Sequence, residues 1–393
     1  MIHVFTGPTL SPDDPALSSP QFAPRPPIRH GDLFDSRIAE TDTVVIIDGL
    51  YHHTPAVRHK EIIWTLSRGV RVVGAASIGA LRAAELESCG MVGVGEIFRA
   101  YADGVIEGDD EVAVGQSAGT DLRSFSWPLV NLRHVLNLGT AAGVVEAGTA
   151  GDVLEELRAV YYPHRSLTAV LAISRKRGAE EFGRWLGSRL AEDRHFGALK
   201  RSDALQALGT SLSLGGTPSE APPKLEWRTR CFRQWANTFA AQTVDGVELT
   251  TSHRITYQQI FDRHFERLWW EHLSATGTAG LQPLLACAVI LPETDLTDPD
   301  TVSRLLAHET PADRAAVHQY IALNEEVSQS HRGFFPEAIK DSVARELLTF
   351  LWGSRPEVLE EMARARGFQG VRDAVEAAKL FVLGFLRERE DGR

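Results

Sequence analysis

The chain is short of cysteine, of long apolar runs and of clustered basic residues, and each shortage removes a class of protein. Its 3 cysteines are Cys89, Cys231 and Cys287. They are far apart and odd in number, which excludes a disulfide framework and a C-x-x-C metal pair. No stretch approaches the ~20 apolar residues that a membrane-spanning helix needs. Lys and Arg number 41 against 52 Asp and Glu, a formal net charge of −11, and the basic residues are nowhere bunched. A nucleic-acid partner is therefore not expected. Ile2 to Thr6 already reads as a strand and leaves no room for a secretory signal, so a soluble cytoplasmic protein is expected.

At 393 residues the chain exceeds the usual limit of one hydrophobic core, so two domains are the starting expectation. The first 145 residues read as α/β. Strands are expected at Ile2–Thr6 and at Thr43–Asp48, the latter apolar on both faces as parallel-sheet strands are. The Pro-rich stretch 11–30 reads as extended or looped. Thr54 followed by Pro55 predicts a helix start, and Gly69 its stop. From 146 to 393 the pattern is helical throughout, with a Gly/Ser/Pro-rich loop or linker near 209–224. The expected fold is thus a small parallel sheet with flanking helices, followed by an all-helical region.

The stretch Val70–Gly95 organises the first part. Val70, Val72 and Val73 form a short strand, and Ile78 to Ser88 a helix ending at Gly90. The turn between them carries Ser77. Its pattern, Ala75-Ala76-Ser77-Ile78-Gly79, differs by one small residue from the G-x-S-x-G elbow on which hydrolases mount a nucleophilic serine. A plain helix-capping serine explains the same residue equally well. In a parallel sheet, ligands bind outside the carboxyl ends of the strands. Gly7, Asp48, Gly49 and Ser77 should therefore meet at one edge.

A nucleophilic serine needs a base. The local candidates are His52 and His53 in a loop at that edge, His59 on the helix that follows, and Lys60. His59 falls on the apolar side of that helix and reads as a core histidine. To serve as a base Lys60 must lose about 3 pKa units, about 4 kcal/mol of differential stabilisation, which burial beside Val57 and Trp64 can supply. A Lys60 paired with Glu61 or Glu85 is the alternative. Arg82 and Glu85, three apart on the Ser77 helix, read as a structural pair. The run Asp109-Asp110-Glu111 reads as a solvated acidic loop rather than a Mg²⁺ site. No His/Cys/carboxylate spacing of a known metal type occurs, so neither metal nor cofactor is expected.

Several separated motifs occur together: Val4–Ser11 (VFTGPTLS), Asp48-Gly49, Ala56–Ile62 (AVRHKEI), Ser77–Leu86 (SIGALRAAEL), Gly90–Phe98 (GMVGVGEIF) and Asp109–Val114 (DDEVAV). In this order they resemble the TfuA-like family over residues 1 to about 145. The resemblance implies a hydrolase-like partner of a YcaO enzyme in peptide thioamide formation, releasing sulfide from a thiocarboxylated ubiquitin-like sulfur carrier. A role beside the precursor peptide is also implied. The family's Ser–Lys pair carries over to Ser77 and Lys60. Amides of Ile78 or Gly79, and of Gly7 or Gly49, would then hold the oxyanion. A non-catalytic adaptor that brings peptide or carrier to YcaO is the competing expectation. One departure is visible: family members often place a histidine two residues after DDEVAV, where this chain has Gln116.

Overall fold

The computed structural model describes residues 1–50, 54–117, 124–214, 229–276, 290 and 294–391. They form two compact units, one of Met1–Leu33 and Arg37–Trp227, the other of Phe34–Ser36 and Arg228–Arg393.

The first unit is built on a five-stranded, all-parallel sheet in the order β2-β1-β3-β4-β5, with β1 Ile2–Phe5, β2 Phe22–Arg25, β3 Thr43–Ile46, β4 Arg71–Ala75 and β5 Val92–Val94. Every residue of β1, β3 and β4 is buried, as both faces of a parallel sheet require. β2 lies inside the Pro-rich stretch. It is an edge strand, where Pro24 forfeits no ladder bond that the sheet needs. The chain leaves β1 toward β2 on one side and resumes at β3 on the other. That reversal puts the topological switch between the carboxyl ends of β1 and β3.

Each face has its own cover. On one, Val44, Ile46 and Val72 pack against Ile62 and Leu66 of α1 (His59–Ser67) and against Ile78 and Ala83 of α2 (Ile78–Leu86). The approach of α2 is very close: a Cβ on Gly79 would lie 1.8 Å from the Ile46 carbonyl oxygen, and one on Gly74 2.1 Å from the Gly79 oxygen. The glycines are needed because backbone meets backbone there. After β5 come α3 (Glu96–Ala102), α4 (Leu129–Ala141), α5 (Ala147–Arg158), α6 (Leu167–Lys176) and α7 (Glu180–Glu192). Helices α4 to α7 share a core of their own around Leu132, Leu157 and Phe182. The opposite sheet face is covered by a helix from far along the chain, α8 (Leu199–Ser213), through Ala204, Ala207 and Leu208. The division expected at 145 therefore falls inside this unit. Residues 209–213 of the expected loop continue α8, and 215–224 lie outside the described residues.

The second unit is helical around a core of Tyr257, Tyr320, Leu348 and Phe381, on helices Thr251–Phe261, Pro311–Ser330, Asp341–Trp352 and Val371–Asp391. It also holds a hairpin, β6 Ala241–Val244 with β7 Val247–Thr250, turning at Asp245-Gly246. An all-helical reading passed over that hairpin, although Asp-Gly between β-branched residues is a strong hairpin signal. Among the described residues no helix is long and apolar enough to cross a membrane.

Candidate active site

Ser77 sits where β4 breaks into α2, and it is 3% exposed. The turn is tight: the Ser77 amide donates to the Ala75 carbonyl at 2.7 Å, and Ala76 between them has φ +66°. A positive φ on a residue with a Cβ costs about 1–3 kcal/mol and persists only where its surroundings impose it. The strain falls one residue before the serine. Ser77 is the N-cap of α2 by position, but its side chain makes no capping hydrogen bond. The capping role that would account for this serine is therefore not the one it performs.

A cavity of about 200 Å³ opens beside it, lined by Pro8, Asp48, Gly49, Ser77, Val112, Val114, Gly115, Gln116, Phe125, Tyr162, Pro163 and Lys200. Asp48, Gly49 and Ser77 thus meet at one sheet edge, at the switch point. Asp48 is fixed there by three donors: its carboxylate accepts the Gly7 amide at 3.0 Å, the Thr9 amide at 2.9 Å and the Thr9 hydroxyl at 2.6 Å.

The cation facing it is Lys200, from the first turn of α8. Lys200 is 4% exposed; its Nζ donates to the Val112 carbonyl at 3.0 Å and lies 3.7 Å from Asp48 Oδ1. Burial pulls its pKa below the ordinary lysine range, and the Asp48 charge opposes that pull without cancelling it. Because three protein donors already support the Asp48 carboxylate, the lysine can lose its proton without leaving an unsupported charge.

The residues expected from sequence fall in several places. Lys60 lies on the first turn of α1, half-buried, and does not line the Ser77 cavity. His52 and His53 lie outside the described residues. Helix α1 begins at His59 rather than at Pro55, because the Pro55 carbonyl is taken by the His30 amide and Arg58 becomes the N-cap. This later start carries His59 to the surface, with its side chain 46% exposed and its Nε2 2.8 Å from Glu85, which Arg82 also meets. The core-histidine reading of His59 is corrected accordingly. The Gly7 amide is occupied by Asp48, and the Gly79 amide points to the Ile47 carbonyl at 3.4 Å. Of the expected oxyanion donors this leaves Gly49, in the cavity wall, and Ile78, whose first-turn amide has no partner within its helix.

Glu61 of the HKE motif is fully buried, accepts the Gly31 amide at 2.7 Å and the Arg58 amide at 2.9 Å, and meets the His30 ring. Burial pushes its carboxyl pKa up despite these donors. It ties the start of α1 to the turn at His30 and Gly31 that precedes β3. The acidic run is not a solvated loop: buried Glu111 binds Arg133 at 3.0 Å and Arg158 at 2.9 Å, and Asp110 pairs with Arg165 at 3.2 Å. No group of three His, Cys, Asp or Glu suited to a metal ion occurs among the described residues.

Two cavity residues bear on the sequence reading of the site. Gln116 stands where the family resemblance leads one to look for histidine, so that departure falls within the Ser77 cavity. Lys200 had a legible signal: it shares a helical stripe with Ala204, Ala207, Leu208 and Ser211, all buried. A lysine on an apolar face is costly unless it is used or paired. Among known proteins, residues 48–166 match the family model described as TfuA-like protein. No curated protein matches the chain. The segment bearing Asp48, Ser77 and Gln116 is therefore TfuA-like, while Lys200 comes from beyond the match.

Proposed function

We propose that the protein works beside a YcaO enzyme in peptide backbone thioamidation, as a serine hydrolase that releases sulfide from a thiocarboxylated ubiquitin-like carrier. The TfuA-like segment is consistent with a YcaO-associated role. The observation that carries the reading is the pairing, in one cavity, of an uncapped serine on a strained turn with a buried lysine of lowered pKa. At about 200 Å³ the cavity suits an acyl terminus with one or two small residues rather than a whole ligand, as a protein tail would present.

Ser77 Oγ attacks the thiocarboxylate carbon while neutral Lys200 takes its proton; here Lys200 fills the role that the sequence assigned to Lys60. Charge develops on the carbonyl oxygen, which the Ile78 and Gly49 amides hold. The C–S bond breaks, and sulfur leaves with the proton from Lys200 as hydrosulfide. Water then attacks the Ser77 ester with Lys200 again as base, freeing the carboxylate carrier and restoring the serine. Lys200 is itself 4% exposed, so bulk water is kept from the amine. The hydrosulfide would pass to YcaO acting on the precursor peptide.

Ser77→Ala tests this. Sulfide release from the thiocarboxylated carrier should fall by at least about 10³-fold, as loss of a nucleophile does. The melting temperature should change little, because no cap bond is lost. A folded Ser77→Ala protein that still releases sulfide would rule out Ser77 as the nucleophile, and a wild-type protein that releases none would leave the adaptor reading.

A further inference from the structure

A second cavity, of about 390 Å³, adjoins the first; Pro8, Val114 and Lys200 line both. Its charge is at odds with the rest of the chain. In a protein of formal net charge −11, this cavity is lined by Arg194, Lys200 and Arg201 together with His195, and among the described residues by no carboxylate. Helices α4 and α8 both open onto it, through Pro128 and Ala198 at their N-caps, and neither cap residue supplies a side-chain acceptor. Asn131 of α4 accepts the Lys200 amide at 3.1 Å and locks the two helix ends together. Two helix dipoles thus add positive potential to that of the two arginines. Arg201 is held by Asp14 at 2.6 Å through one nitrogen, which leaves other donors of its fork to a ligand. Trp127 gives the cavity a flat apolar wall.

We propose that this cavity is a binding subsite for an oxyanion carried on a small organic group, a carboxylate or a phosphate, separate from the Ser77 cavity. Its volume lies in the range of small-molecule sites and exceeds what a bare ion fills. Arg194 and Arg201 grip the anion. The shared Lys200 wall places the bound anion next to the serine site. The subsite does not depend on the proposed chemistry, so it is tested by binding alone, in the full chain carrying Ser77→Ala.

Calorimetry with inorganic phosphate, and separately with an acetylated dipeptide bearing a free C-terminal carboxylate and its amide, measures the binding. The expected result is saturable binding of phosphate or of the free-acid dipeptide, with no binding of the amide. Arg194→Gln and Arg201→Gln should each weaken it roughly tenfold. Arg194 is exposed and its replacement leaves the Asp14–Arg201 pair intact, so one variant stays folded whatever the other does. Whichever probe binds names the source of the anion. Binding of neither probe above a sodium chloride control, equal binding of acid and amide, or undiminished affinity in Arg194→Gln would overturn the proposal.

Discussion

The proposed chemistry turns on Lys200. Its pKa is lowered in the folded protein, so between that value and the ordinary lysine range, near 10.4, the unfolded chain binds more protons than the folded one. Stability from this site therefore rises with pH across that window and is flat below it. Lys200→Met removes the titrating group and should be the more stable protein at neutral pH. Urea unfolding of both proteins from pH 6 to pH 10 checks this: the gap should narrow as pH rises, and a constant gap would contradict the assignment. Other residues show what single positions disclose. Ser77 was visible from its small neighbours and its place between a strand and a helix. His59 reads as a core residue from sequence alone, but its exposure depends on where α1 begins, and a hydrogen bond from the His30 amide, 29 residues earlier, sets that start.

At the scale of elements, the β3–α1–β4–α2 unit was legible because its signals are local: β-branched runs, a glycine stop at Gly69 and another at Gly90, which has φ +96°. β2 was not, since Pro24 argues against a strand until the strand is known to lie at an edge. The role of α8 was hidden for a different reason. Its buried stripe carries both Lys200 and Asp203, and Asp203 accepts the Glu96 amide at 3.0 Å and the Ile97 amide at 2.8 Å, capping α3 from 107 residues away. No local pattern announces a cap supplied at that distance. The packing of α2 on the sheet makes a sharp prediction. Gly79→Ala should cost about 3 kcal/mol or abolish folding, because its Cβ would meet the Ile46 carbonyl with backbone on both sides. Gly187→Ala, in the exposed middle of α7 with open space around it, should instead stabilise by about 0.5–1 kcal/mol. Thermal or urea melts of the two variants, run side by side, should move in opposite directions.

Across the whole molecule, the site is gathered from segments that the sequence separates widely: Pro8, Asp48 and Gly49, Ser77, Val112 with Val114 to Gln116, Tyr162 and Lys200. The sheet brings the first four together, and α8 completes the set by covering the opposite face. A TfuA-like match that ends at residue 166 therefore carries the serine without the buried lysine. In the proposed chemistry the proton acceptor comes from α8 and not from the HKE motif. The rate of sulfide release from a thiocarboxylated carrier by Lys200→Arg, with Lys60→Arg alongside, tests it most directly. Guanidinium keeps its charge but holds its proton at any working pH. Lys200→Arg should lose roughly 10²-fold or more in rate, the contribution of a general base, while Lys60→Arg keeps most of its activity. An active Lys200→Arg protein beside an inactive Lys60→Arg protein would contradict the account.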